Sequence, residues 1–220
     1  DQAIKLDPKF AAAFASRGLA YSNKQDYNRA IADLDNAIRL DGKFAGAFND
    51  RGLVNAATGK SDRAIADFTQ AIRLNPKDAD AHLQRAFVYR ELHDNAHALE
   101  GFGRVAELDG DKALGHYNRG VVLFEMRQYE RAIRDLDRAI NCSPDHAPSF
   151  NLRGQAYAAV GETRRAIQDF AQAVQLAGNF AEAFVNRGNI FQGMRRWERA
   201  LADYAEAVRL KPQDAYSLYS

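Results

Sequence analysis

A 34-residue period runs through the sequence and limits what the chain can fold into. The tetrapeptide Ala-Ile-Arg-Leu begins at Ala37 and again at Ala71, and counting Ala11 as position 1 gives six full repeats without insertion or deletion. The repeats span residues 11–44, 45–78, 79–112, 113–146, 147–180 and 181–214. A fixed period of this length predicts an array of similar units rather than one globule with a central core.

Small and aromatic residues recur at fixed positions of the repeat, and their spacing predicts two helices. Position 8 is glycine or alanine, position 20 is always alanine, and positions 4, 11 and 24 are mostly aromatic. Positions 4, 8 and 11 share one face of a first helix, and positions 17, 20, 21, 24, 27 and 28 share one face of a second. Because the small residues let the two helices approach closely, a large side chain at Gly154 or Ala166 should overpack the contact, at about 1–3 kcal/mol or more.

Position 32 is always glycine or proline, and this predicts where the second helix ends. Proline cannot continue a helix, and glycine is expected to end it through a left-handed cap. A single helix pair cannot bury its apolar stripe alone, so the pairs are predicted to stack on one another.

This pattern resembles the tetratricopeptide-repeat (TPR) family, whose 34-residue motif has an aromatic, small residues, Tyr, Ala, an aromatic and then Pro. The resemblance covers the whole chain and implies an all-α fold, a right-handed α-solenoid (superhelix) of antiparallel helix pairs. Residues 1–10 match the second helix of a preceding repeat, and residues 215–220 match the start of a further one. Since neither end carries a polar capping helix, we expect a fragment of a longer array, or ends that another chain covers.

Charge and composition exclude several classes of function. The number of Lys and Arg residues (30) nearly equals that of Asp and Glu (29), which disfavours nucleic acid as a binding partner. No apolar run is long enough to predict membrane insertion. The single Cys142 rules out an intrachain disulfide and leaves the compartment open, with a slight preference for the cytoplasm. No nucleophile–base motif, phosphate loop or metal signature appears, so we predict a protein that is not an enzyme and has no cofactor or metal site.

Arginine occupies position 7 in every repeat, where the family usually has leucine. Five repeats also have aspartate at position 23, which predicts an Arg–Asp couple between the two helices. One interpretation is a ladder of partly exposed ion pairs worth about 0–1 kcal/mol each, and the other is recognition of carboxylates or phosphates on a ligand. Arg85 faces Gly101 instead of an aspartate and is the strongest candidate for the second role.

The resemblance to TPR proteins implies a ligand groove lined by the first helices at positions 2, 5, 6, 9, 12 and 13. Carried over to this chain, the predicted groove residues are Asn49, Asp50, Leu53, Leu83, Gln84, Phe87, Arg90, Tyr117, Asn118, Val121, Phe124, Asn151, Gln155, Asn186 and Asn189. Their apolar members would form a strip across repeats 2 to 4, and contiguous exposed apolar surface usually marks a partner site. The alternative is that some of these side chains pack between adjacent first helices.

The leading functional hypothesis is therefore a protein–protein interaction scaffold that binds a peptide or helix of a partner protein in the groove. One alternative is the substrate-recruiting region of a larger enzyme, such as a glycosyltransferase or protease. The other is a homo-oligomeric assembly module that self-associates through its uncapped ends.

Five single residues allow a chemical interpretation beside a structural one. His93 and His97 stand four residues apart, as in helical metal sites, but without a further ligand we interpret them as surface histidines. His82 and His116 replace the position-4 aromatic residue and are predicted to be core residues. Cys142 stands where other repeats have leucine and is predicted to be a small buried hydrophobe.

Repeat 3 departs most from the pattern. Gly101 and Gly103 lie in its second helix, and each costs about 1 kcal/mol relative to alanine. The helix over 96–108 is therefore predicted to be the least stable one, which amide hydrogen exchange would test, and to be a point where the superhelix bends.

Overall fold

Residues 2–108 and 112–212 are described by a computed structural model, and throughout this part of the chain the regular structure is helical, without strands. The chain divides into two units, Asp1–Gly110 (unit 1) and Asp111–Ser220 (unit 2). Gly110 at position 32 and the partial repeat at 215–220 lie outside the described residues.

Helix pairs follow one another along both units. The helices of unit 1 are α1 (Gln2–Leu6), α2 (Ala11–Asn23), α3 (Tyr27–Leu40), α4 (Ala45–Ala57), α5 (Ser61–Leu74), α6 (Ala79–Glu91) and α7 (Asn95–Glu107). Those of unit 2 are α8 (Lys112–Glu125), α9 (Tyr129–Cys142), α10 (Ala147–Ala159), α11 (Thr163–Leu176), α12 (Ala181–Gly193) and α13 (Trp197–Leu210). From α2 onward, even-numbered helices are the first helices of their repeats and odd-numbered helices are the second.

Packing runs in chain order. Within each unit a helix packs against the helix before it and the helix after it, and first helices also contact the first helix of the adjoining repeat. Burial is therefore distributed along the array rather than gathered in one central core. The predicted all-α solenoid of helix pairs is confirmed.

The close contact predicted between positions 8 and 20 is present. The alanines at position 20 are buried, with Ala132 and Ala166 both 0% exposed. A Cβ atom built on Gly154 would lie 2.8 Å from Cε1 of Phe170, and one on Gly120 would lie 3.6 Å from the carbonyl oxygen of Ala132. Glycine at position 8 thus admits the side chain of position 24 against the backbone of the first helix.

The first helices end through a turn that the sequence analysis missed. Position 15 has a positive φ in all six repeats, at Gln25, Gly59, His93, Arg127, Gly161 and Arg195. The next residue donates its N–H to the carbonyl of position 11, as from Lys60 to Asn55 at 2.8 Å. This is the hydrogen bond of a Schellman cap, which needs a left-handed residue between the helices. Four of the six repeats place a residue with a side chain there, so composition alone conceals the turn.

Two local predictions are wrong. Gly42 and Gly178 do not have positive φ, so glycine at position 32 does not end the second helix by a left-handed cap. Instead the residue before it is extended, as Asp41 is with φ −136° and ψ 94°. Cys142 is exposed rather than buried, because it is the last residue of α9, beyond the buried stripe of that helix. Leu176 at the same position of the next repeat is also 37% exposed.

Repeat 3 keeps the helix packing although Ala86 replaces the usual glycine at position 8 and Gly101 the usual aspartate at position 23. A Cβ atom on Gly101 would lie 2.7 Å from Cβ of Ala86, so the glycine on the second helix makes room for the alanine on the first. The two departures from the repeat pattern therefore compensate each other sterically. Reduced stability of the helix over 96–108 stays a prediction, since its packing is like that of its neighbours.

His82 and His116 lie where the repeat pattern places core residues. His82 is 7% exposed, with Nε2 3.2 Å from the carbonyl oxygen of Pro76, while its Nδ1 is buried without a partner among the described residues. His116 is half-buried, with Nδ1 3.3 Å from Oδ1 of Asp135. Burial lowers the pKa of both imidazoles.

The fold should lose stability as the pH falls below about 6.5, the ordinary pKa of histidine. Because the fold lowers the pKa of His82 and His116, the unfolded chain binds more protons in this range, which favours unfolding. His82→Phe, which restores the aromatic residue and removes the unpartnered Nδ1, should stabilise the protein by about 1 kcal/mol and flatten the dependence. Urea denaturation at pH 5 and pH 8 tests this, with exposed His93→Gln as control. An unchanged pH slope in His82→Phe would contradict it.

Candidate interaction surface

Apolar groove residues of unit 1 are partly used in packing. The predicted groove residues Asn49, Asp50, Leu53, Leu83, Gln84, Phe87 and Arg90 form what we call the first-helix face of unit 1. Leu83 is 8% exposed, and half-buried Leu53 packs against the core formed by Ala64, Phe68 and Val88. The half-buried ring of Phe87 meets Phe102 edge-on, with ring centroids 5.3 Å apart. These side chains support the helix packing and leave only part of their surface accessible.

Two hydrogen-bond acceptors on this same face have no partner within the described residues. The carboxylate of Asp50 is half-buried, and burial alone raises its pKa. The Oδ1 atom of the adjoining Asn49 is also buried and accepts no hydrogen bond. A buried acceptor left unpaired, as Oδ1 of Asn49 is, costs about 1–3 kcal/mol, and the half-buried carboxylate of Asp50 beside it also has no donor among the described residues, so the arrangement favours a ligand that supplies donors.

The first-helix face of unit 2 begins with aromatic residues. Its predicted groove residues are Tyr117, Asn118, Val121, Phe124, Asn151, Gln155, Asn186 and Asn189. Tyr117 meets His146 edge-on at 4.9 Å, and Phe124 meets Tyr129 in the same way at 5.3 Å. Val121 is half-buried, and Asn118, 5% exposed, donates to the carbonyl of Leu114 in its own helix.

Amide side chains of unit 2 bond to one another across α10 and α12. Asn151, 3% exposed, donates to Oε1 of Glu182 at 3.1 Å and accepts from Asn186 at 3.0 Å. Gln155 donates to the same Glu182 oxygen at 3.1 Å. Asn189 is exposed and accepts from the hydroxyl of Tyr204 at 2.8 Å. Sequence reasoning missed Glu182 as the acceptor that joins these amides, because 31 and 27 residues separate it from the two donors on α10.

Arginine at position 7 binds aspartate at position 23 in five repeats, as the spacing predicted. The pairs are Arg17–Asp33, Arg51–Asp67, Arg119–Asp135, Arg153–Asp169 and Arg187–Asp203. Arg153 shows the geometry, with Nε and Nη2 donating to separate oxygens of Asp169 at 2.8 and 2.7 Å. The aspartates lie deeper than the partly exposed pairs expected from sequence, with Asp33 4% and Asp169 6% exposed. Two parallel hydrogen bonds between opposite charges fix the orientation of the two side chains as well as stabilising the pair.

Two of these arginines hold a second carboxylate from the preceding repeat. Arg51 donates to Asp35 on α3 at 2.6 Å, and Arg153 donates to Asp137 on α9 at 2.7 Å. Burial alone would lower the pKa of Arg153, but the hydrogen bonds and charges of Asp169 and Asp137 outweigh it and raise the pKa. Each of the two guanidinium groups thus joins neighbouring repeats.

Arg85 is the exception that the sequence predicted. Its Nη1 donates to the hydroxyl of Thr69 at 3.1 Å, and no carboxylate among the described residues pairs with it. A ligand-binding role for Arg85 stays a prediction.

His93 and His97 occupy the turn and the start of α7. His93 is the left-handed residue of the turn, and the ring of His97 stacks on Tyr89 with Nδ1 2.6 Å from Asp94. Within residues 2–108 and 112–212, no group of three or more His, Cys, Asp or Glu side chains could hold a metal ion. No helix in that part of the chain has the length and apolar character needed to cross a bilayer.

Apolar side chains are exposed on α13. Trp197 is 55% and Leu201 64% exposed, whereas Ile133 and Ile167, at the position of Leu201 in the two preceding repeats, are half-buried. In those repeats the following first helix packs against the second helix. Self-association through such a surface stays a prediction, which sedimentation over a wide concentration range would test.

Comparison with known proteins supports the fold. Sequence profiles described as tetratricopeptide repeat match residues 18–88, 113–146, 147–180 and 181–214. No curated protein matches the chain at a significant level of sequence similarity.

Solved structures with this arrangement of helices include three of similar length. PilW, a type IV pilus biogenesis factor, has a TM-score of 0.79 at 18% identity, over 96% of this chain and 98% of that one. PilF of Pseudomonas aeruginosa has a TM-score of 0.77 at 15% identity, over 94% and 96% of the two chains. YrrB, a TPR protein with an unusual peptide-binding site, has a TM-score of 0.66 at 22% identity, over 84% and 96%. At these identities the likenesses show the fold alone.

Proposed function

Because the chain belongs to the tetratricopeptide-repeat family, we propose that it is a protein-interaction scaffold whose first-helix face in unit 1 binds a peptide or helix of a partner. The single observation that carries this proposal is the unpartnered pair of acceptors, Asp50 and Asn49, beside half-buried Leu53. The similar chain YrrB has a peptide-binding site. No catalytic step is part of the proposal.

The chemistry of this face defines the segment that would fit it. A carboxylate and an amide oxygen accept hydrogen bonds, and a guanidinium or ammonium group donates them with charge. Asp80 and Glu91 are exposed on the same first helix, α6, and add negative charge. The expected ligand is therefore a segment with an arginine or lysine next to apolar side chains, which would contact Leu53 and Phe87.

Unit 2 is expected to contribute less binding energy. Its amides already bond to one another and to Glu182, so a ligand would have to break those hydrogen bonds before making its own. The proposal therefore places the energetic centre of binding on unit 1. The recruiting region of a larger enzyme, or a homo-oligomeric assembly module, stays an alternative prediction.

Asp50→Asn should weaken peptide binding and stabilise the free protein at the same time. Loss of the charge should raise the dissociation constant of a basic peptide about tenfold. Because burial raises the pKa of Asp50, its charged form costs stability, and this cost sets in as the pH rises through that pKa. The urea midpoint at pH 7 should therefore increase in Asp50→Asn.

The test begins with a random peptide library selected on the intact chain, followed by affinity measurement of the enriched peptides by calorimetry. Asp62→Asn is the matched control, since Asp62 is exposed on α5 and its replacement changes the net charge equally. Enrichment of peptides without basic residues, or equal binding by the two variants, would refute the proposed chemistry of the face.

A further inference from the structure

A cleft of about 360 Å³ opens in unit 1 between α3, α4 and α5. Its polar lining is Asp35, Arg51, Asn55, Arg63 and Asp67, and its apolar lining is Ile31 and Ala66. This volume is at the lower end of the range for ligand pockets. None of these residues belongs to the predicted peptide groove.

Repeat 5 contains the same charged residues around an aromatic ring. Asp137, Arg153, Arg165 and Asp169 occupy the repeat positions of Asp35, Arg51, Arg63 and Asp67. The residue among them is Tyr157, whose ring centroid lies 5.8 Å from Cζ of Arg153 and 5.5 Å from Cζ of Arg165. Burial raises the pKa of Tyr157, and the charges of Asp137 and Asp169 raise it further. In repeat 5 the space beside these four charged side chains is therefore filled by the ring of Tyr157.

In repeat 2 the corresponding residue is Asn55. Its amide is 4% exposed and donates to Oδ2 of Asp67 at 2.9 Å. An asparagine side chain is much smaller than a tyrosine, so it leaves unfilled the space that a ring takes in repeat 5.

The arginine at position 19 also lacks an aromatic neighbour in repeat 2. Arg29 lies 4.6 Å from the ring of Tyr21, and Arg199 lies 5.7 Å from that of Phe191. Arg63 is exposed, and among the described residues it has no ring, carboxylate or hydrogen-bond partner. A guanidinium group over an aromatic face is attracted by the ring quadrupole, and repeat 2 lacks the ring.

We propose that this cleft binds an uncharged, electron-rich aromatic ring, of the phenol type, supplied from outside the chain. The ring lies between the guanidinium groups of Arg51 and Arg63 with its edges against Ile31 and Ala66. Two carboxylates and two guanidinium groups balance in charge, which favours a neutral ring over a charged one. The chemistry is shared by a tyrosine side chain of a partner protein and a free phenolic compound.

The experiment uses the intact chain with two neutral probes, phenol and N-acetyl-L-tyrosinamide, and with cyclohexanol as the non-aromatic control. Two-dimensional NMR should show saturable shifts centred on Asn55 and Arg63 for both aromatic probes and none for cyclohexanol. Arg63→Gln should weaken binding about threefold to fivefold, as expected for an exposed cation–π contact. Binding of N-acetyl-L-tyrosinamide at least about tenfold more tightly than phenol would identify a tyrosine side chain of a protein as the source, and a smaller difference would identify a free phenolic compound.

Two exchanged variants make the test decisive. Asn55→Tyr should fill the cleft and abolish binding, while Tyr157→Asn should open the matching cleft in unit 2 and raise the stoichiometry from one ring per chain to two. Unaltered probe binding by folded Asn55→Tyr overturns the proposal, and so do equal shifts with cyclohexanol. If Tyr157→Asn does not fold, Asn55→Tyr alone decides. Failure of basic peptides to bind the first-helix face would leave these outcomes unaffected.

Discussion

Asp169→Ala is expected to lower the free energy of unfolding by about 3 kcal/mol, at the low end of the range for breaking a buried ion pair. The carboxylate accepts two hydrogen bonds from Arg153, and the two side chains are 9% and 17% exposed. Without this carboxylate, the half-buried guanidinium group of Arg153 loses its main partner. The effect stays at the low end because Asp137 still faces Arg153 at 2.7 Å.

The chain provides its own control for this prediction. Asp137 binds the same guanidinium group, but its side chain is 44% exposed, so Asp137→Ala should cost below about 1 kcal/mol. Urea denaturation of both variants, followed by circular dichroism, gives the comparison. Equal losses in the two variants would mean that burial does not govern the strength of these pairs.

Gly154→Val is expected to destabilise the fold by about 3 kcal/mol or more, through overpacking. Even the first added carbon would lie 2.8 Å from the ring of Phe170, which is 1% exposed and has no free space to move into. Relief would require moving α10 away from α11 and would loosen the contact that Ala166 makes possible.

Gly193→Val is the matched control, because no atom lies within 4 Å of a Cβ atom at Gly193. This substitution should change the free energy of unfolding by less than about 0.5 kcal/mol. Thermal and urea denaturation of the two variants should therefore differ widely. A Gly154→Val protein as stable as the control would show that the helices of repeat 5 are not in close contact.

The helix pairs and the contacts within them could be predicted because six repeats carry similar residues at the same positions. Glycine at position 8 and alanine at position 20 indicate a close approach, which Gly120 and Ala132 show. In the same way, arginine and aspartate 16 residues apart predicted the pairs that Arg17 and Asp33 illustrate.

Contacts that the repeat does not share could not be predicted. The second carboxylate on Arg153 comes from a position where only repeats 1 and 4 have aspartate and the other four have Thr, Gly or Ala, so the repeat pattern does not indicate it. The left-handed turn at His93 or Arg127 depends on backbone hydrogen bonds that side chains do not reveal. The prediction that Cys142 is buried was wrong because leucine at this position in other repeats was read as a sign of burial. The position is the last residue of the second helix, beyond its buried stripe.

For the candidate site, the sequence suggests which residues belong to it, which stays a prediction, and says nothing about their hydrogen-bonding state. Family positions identified Asp50 and Asn151 equally as groove residues. Only the structure distinguishes an acceptor without a partner from an amide that two neighbours already satisfy. That distinction depends on which side chains meet across adjoining repeats, and a single repeat does not contain this information.

The bonds that join neighbouring repeats in unit 2 differ in kind. Asp137 and Arg153 connect repeats 4 and 5 through opposite charges, with the Asp137 side chain 44% exposed. Repeats 5 and 6 are instead connected by hydrogen bonds that uncharged amides donate, to Asn151 and to Glu182. Dissolved salt screens the attraction between two charges more strongly than a hydrogen bond that a neutral amide donates. Raising the ionic strength should therefore weaken the connection between repeats 4 and 5 more than that between repeats 5 and 6, so that flexibility becomes uneven within unit 2.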